Sequence, residues 1–89
     1  MSSNIEKSKL YWAARRGMLE LDIFLMPFVE HQYEKLTEAE QQNFQALVEC
    51  TDMELYYWLS DKEPAPEEFV NMVDRIRQYA RDTAKDKHR

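Results

Sequence analysis

The chain has 89 residues, which predicts one small domain. Apolar residues make up 44% and charged residues 33%, the balance of a folded globular protein. Twelve Lys and Arg against 17 Asp and Glu leave a net charge of −5, which argues against a nucleic-acid binder, whose affinity rests on cations.

The one cysteine, Cys50, rules out an internal disulfide and any Cys-x-x-Cys site. The one glycine, Gly17, leaves no supply for hairpin turns or for a glycine-rich nucleotide loop. The longest apolar-rich stretch, Met18 to Val29, carries Glu20, Asp22 and Pro27 and is too short and polar to span a bilayer. The first residues lack an apolar signal core and an Arg-rich transit character, so a cytoplasmic protein is expected. The fold expected is all-α: a single bundle of about five short helices over residues 1–89.

The first helix is predicted from about Ile5 to Arg15, closed by Gly17 in the left-handed conformation. The second begins at Met18, with Met18, Leu21, Leu25 and Phe28 on one face and Phe24 beside them. Pro27 either kinks that helix or starts a new one, and the segment ends near Leu36. Thr37 with Glu40, and Thr51 with Glu54, have the spacing of capping boxes. They open helices that turn Phe44, Leu47 and Val48, then Leu55, Trp58 and Leu59, inward. A loop follows from Ser60 to Pro66. Pro66, Glu67 and Glu68 then suit the first turn of a last helix, whose Phe69, Met72, Val73, Ile76 and Tyr79 share one face. Residues 81–89 carry no packing face and are expected to fray.

Charge is uneven. Residues 37–68 hold one basic and nine acidic side chains, net −8, while residues 69–89 hold six basic and three acidic, net +3. Solvated helix faces account for this, and steering of a basic partner by the acidic middle is the alternative.

The densest polar cluster is Arg15-Arg16-Gly17-Met18-Leu19-Glu20-Leu21-Asp22. The arginines sit at the negative end of one helix and the acids at the positive end of the next. The expectation is that the Gly17 turn gathers both guanidinium forks and both carboxylates at one exposed corner. Such a corner is either a surface ion pair or a recognition site, with Arg as bidentate donor and Gly admitting a partner backbone. His31 beside Glu30 and Glu34 reads as solvated, and no metal spacing is present. Trp12, Tyr11, Tyr33, Tyr56, Tyr57 and Trp58 are mostly core candidates. Some of them are expected to form an exposed patch near the corner, and at least one of Tyr56, Tyr57 and Trp58, which point in directions about 100° apart, is expected to face solvent or a partner.

The run Trp12 to Asp22 resembles the signature of the succinate dehydrogenase assembly (flavinylation) factor family. That family's motif is Arg-Gly-x-x-Glu, here Arg16, Gly17 and Glu20. Met26-Pro27-Phe28-x-Glu30-His31-x-Tyr33, then Leu47, Asp52, Leu55, Trp58 and Leu59, extend the resemblance over half the chain. The resemblance implies a small helical bundle that is a binding protein rather than an enzyme. It would act on the flavoprotein subunit of succinate dehydrogenase, and in bacteria on that of fumarate reductase, promoting covalent attachment of FAD. Arg16, Gly17 and Glu20 would meet the partner, with Arg15 and Asp22 in support. FAD would be handled through the client and not bound tightly by this chain. The free protein is expected to be a monomer, with a weak homodimer left open. Two rival readings remain. One is an antitoxin-like or regulatory module using the same surface. The other is an enzyme that joins the cluster to Cys50 as nucleophile.

Overall fold

In the computed structural model the backbone is described for residues 7–87 and the side chains for residues 9–83. All regular structure there is helical: α1 (Lys7–Ala14), α2 (Leu19–Gln32), a 3-10 turn (Tyr33–Lys35), α3 (Glu38–Leu47), α4 (Asp52–Leu59) and α5 (Val70–Lys87). The predicted start of the first helix at Ile5 lies outside the described residues.

α2 is the central element, in contact with α1, α4 and α5. Its inner face is Leu21, Leu25, Phe28 and Val29, at the three- and four-residue spacing that puts side chains on one side of a helix. Leu10 and Ala14 of α1, Phe44 and Leu47 of α3, Leu55, Trp58 and Leu59 of α4, and Met72, Val73 and Ile76 of α5 close around that face. Met18 and Phe24 reach it only in part. Phe28 joins three elements, with its ring 5.6 Å from Phe44 and 6.0 Å from Tyr79.

Both capping boxes form. Glu40 N–H donates to Thr37 Oγ1 at 3.1 Å and Thr37 N–H to Glu40 at 2.9 Å. The Thr51–Glu54 pair repeats this at 3.1 and 3.0 Å. α2 runs through Pro27 unbroken, so the proline neither ends it nor starts another helix. Tight packing on the opposite face offsets the lost backbone donor.

Two helix limits differ from the sequence reading. α5 starts at Val70, because Pro66 to Phe69 form a separate turn in which Phe69 N–H donates to the Pro66 carbonyl at 2.9 Å. Glu67 and Glu68 therefore precede the helix. At the other end α5 continues past Ala80 to Lys87, where fraying was expected from residue 81. Propagating an existing helix takes less than starting one, so no packing face is needed there.

Candidate functional site

The turn between α1 and α2 is built on Gly17, whose φ of +78° lies in the left-handed region. A Cβ there would meet nothing within 4 Å, so inside the chain it is the backbone angle, not space, that calls for glycine. Met18 occupies the N-cap of α2 in extended conformation and supplies no side-chain cap. Asp22 instead reaches back from the first turn, and the Arg16 backbone N–H donates to its Oδ1 at 2.9 Å.

The sequence-predicted residues separate here. Arg16 does not stay at the exposed corner with Glu20. Its side chain is only 17% exposed and reaches across to the α3–α4 turn. There one terminal nitrogen donates to the carbonyl of Val48 and, at 3.2 Å, to that of Cys50. Nε is buried and lies 3.5 Å from Asp52 Oδ1, an ion pair without hydrogen-bond geometry. Val48 is the C-cap of α3 and Asp52 the first residue of α4. The guanidinium therefore sits between the negative end of one helix and an acidic first turn, both of which favour a cation.

Arg15 goes the other way. Its guanidinium carbon lies 5.8 Å from the ring centre of Trp12, which is itself exposed. Glu20 is exposed on the first turn of α2, with no hydrogen bond or ion pair of its own among the described residues. Four polar groups were expected to converge. What results is a brace made of Arg16 and Asp22, with Arg15, Gly17 and Glu20 left facing outward. No Arg–Glu pair closes the corner.

Of the expected exposed aromatic patch, Trp12 alone is exposed among the described residues. Trp12 packs edge-on to Tyr11 with ring centres 6.0 Å apart. Trp58 and Tyr33 are in the core, while Tyr56 and Tyr57 are half-buried against it. Sequence reasoning missed two neighbours of the corner, Leu19 and Ile23, both exposed. The signal was available, since both fall opposite the Leu21–Leu25–Phe28 face.

The surroundings of Cys50 favour the thiol over the thiolate. Burial pushes its thiol above the ordinary value of 9.0, Glu54, Glu68 and Glu49 push the same way, and Arg16 only opposes them. Among the described residues no three of His, Cys, Asp or Glu gather closely enough to hold a metal ion, and no helix is long and apolar enough to cross a membrane.

Residues 8–80 match the sequence profile of the family described as "Flavinator of succinate dehydrogenase". The chain belongs to this family. It is 45% identical over 80 residues to the FAD assembly factor SdhE of Aliivibrio fischeri, covering 89% of this chain and 93% of that one. To the protein of the same name from Vibrio vulnificus it is 51% identical over 77 residues, 85% and 90% of the two chains. To that of Yersinia pestis it is 46% identical over 71 residues, 79% and 81% of the two. The family match spans the brace and the outward-facing residues alike. Its members are named as assembly factors, in keeping with a corner that offers contacts rather than a reactive group.

Proposed function

We propose that this protein is an assembly factor that binds the flavoprotein subunit of succinate dehydrogenase and promotes covalent attachment of FAD to it. The related subunit of fumarate reductase is a second client in this reading, and the encounter is cytoplasmic. The observation that carries the proposal is the exposed Gly17–Glu20 corner, inside a chain that matches the flavinator family over residues 8–80. Glu20 faces solvent at the positive end of α2, Arg15 flanks it, and the bare Gly17 backbone leaves open space for a partner to approach. FAD stays with the client, because a chain with a single glycine has no glycine-rich loop to wrap a pyrophosphate.

The action follows from binding alone. A helper that prefers the attachment-competent conformation of its client raises the population of that conformation. It acts as a monomer, with no reacting group of its own.

The test combines apo flavoprotein subunit, FAD and this protein. Covalent flavin is followed by in-gel fluorescence after acid denaturation. Wild type is expected to accelerate labelling, and Glu20→Ala to lose the acceleration while keeping its melting temperature. No acceleration, together with no complex on size exclusion, would overturn the proposal.

A further inference from the structure

Resting on that reading, we propose that the client-docking surface extends beyond the Gly17–Glu20 corner onto an apolar ridge of α2. The segment it takes is amphipathic and acidic, with apolar side chains straddling Ile23 and carboxylates meeting Arg15 and Arg81.

The ridge is unusually bare. Leu19 is 71% exposed, Ile23 55% and Trp12 64%. Leu19, Ile23 and Pro27 follow one another at four-residue spacing on the outer side of α2, and Glu20 lies three residues from Ile23 on the same side. Ile23 lines two open grooves at once. One is shared with Tyr11, Arg15, Leu19, Met26 and Pro27. The other is shared with Phe24, Leu59, Arg77, Ala80 and Arg81. They are thus a single surface with Ile23 as its crest. Pro27 has no N–H to give, so the Ile23 carbonyl lacks its usual helical donor and is left as an acceptor at that crest.

Charge decides the occupant. The molecule carries −5 overall, yet the charged lining of the two grooves is Arg15, Arg77 and Arg81 against Asp22 alone. Arg77 is answered internally by Asp61 at 3.4 Å and Asp74 at 3.6 Å, and Asp22 is taken by the Arg16 N–H. Arg15 lies over Trp12, and Arg81 donates to the neutral Gln78. One cation in each groove is therefore available to a carboxylate. A segment with apolar side chains flanked by acids fits such a surface. A second copy of this chain fits it worse, since each copy brings −5.

The experiment measures binding of the full-length chain to the apo flavoprotein subunit, beside melting temperature and sedimentation of the free chain. Ile23→Asp is expected to weaken binding about tenfold, as for an interface anchor, with its melting temperature held because the side chain is exposed. Ile23→Ser gives the same direction with a smaller change. Arg81→Glu is expected to weaken binding severalfold, less so at high salt. If wild type binds and Glu20→Ala impairs it, but the Ile23 and Arg81 variants bind like wild type, the ridge is no docking surface and the assembly role still stands. A wild-type dimer that Ile23→Asp dissociates overturns the inference in favour of self-association. A wild-type chain that does not bind the subunit removes the assembly role and this inference with it.

Discussion

The molecule has two helix corners of similar size, closed in opposite ways. The α3–α4 corner closes with local means. Thr51 and Glu54 satisfy each other's backbone donors and the turn needs no glycine, while its Val48 and Cys50 carbonyls are taken by Arg16 from the other corner. The α1–α2 corner cannot close this way. Its N-cap is Met18, its turn needs a left-handed glycine, and its own Arg16 is spent on the carbonyls and Asp52 of the other corner. With its cap closed locally and its carbonyls taken by Arg16, the α3–α4 corner has little left to offer a partner. A corner fixed from a distance can hold its turn rigid while Arg15, Gly17 and Glu20 stay outward, which is what a docking site requires.

Breaking the long-range brace gives the largest expected effect. Arg16→Ala leaves two carbonyls and Asp52 without their cation, and should cost about 2 kcal/mol, or roughly 8–16 °C in melting temperature for a domain of this size. Arg16→Lys keeps the charge without the fork and should fall between. Equal melting temperatures for Arg16→Ala and wild type would remove the brace.

Gly17→Ala comes next. Holding alanine at a φ of +78° should destabilise by about 1–2 kcal/mol, and Gly17→Asn by less. Because a Cβ meets nothing inside the chain, any binding loss beyond that strain reports a partner backbone lying against Gly17.

At the α3–α4 corner, Thr51→Ala should lose about 1 kcal/mol by thermal melting and leave client binding unchanged. The smallest effect is one of pH. Glu40 is held below its ordinary value of 4.5, first by the Thr37 backbone N–H and then by Arg75. Its folded-state value is lowered, so its contribution is present above pH 4.5 and fades as pH falls through the lowered value. Acid titration of stability should be shallower in Glu40→Gln than in wild type. Identical acid limbs would count against the capping role of the ionised carboxylate.

Much of this was legible in the residues. Apolar spacing marked the inner faces of α2, α4 and α5, and threonine followed three places on by glutamate marked two helix starts. These signals are local, set by periodicity or by contacts within one turn. The candidate corner was legible as a cluster, through Gly17 and the charges around it, but its internal geometry was not. Arg16 finds its acceptors 32 and 34 residues away, and no local rule says which of two adjacent arginines turns inward. Asp61, with φ of 66°, ends α4 in the left-handed conformation usually given to glycine and pairs with Arg77. Read alone, it was merely part of a loop.

The sequence by itself determined an all-helical chain, the buried face of each main helix, two of the helix starts and the place of the sharp turn, because each depends on residues within a few positions of one another. Only the tertiary structure decided that α2 passes through Pro27, that Arg16 braces while Arg15 turns outward over Trp12, and that Leu19 and Ile23 crest an uncovered ridge. Those outcomes depend on which neighbours packing brings alongside, and packing joins residues that are distant in the chain.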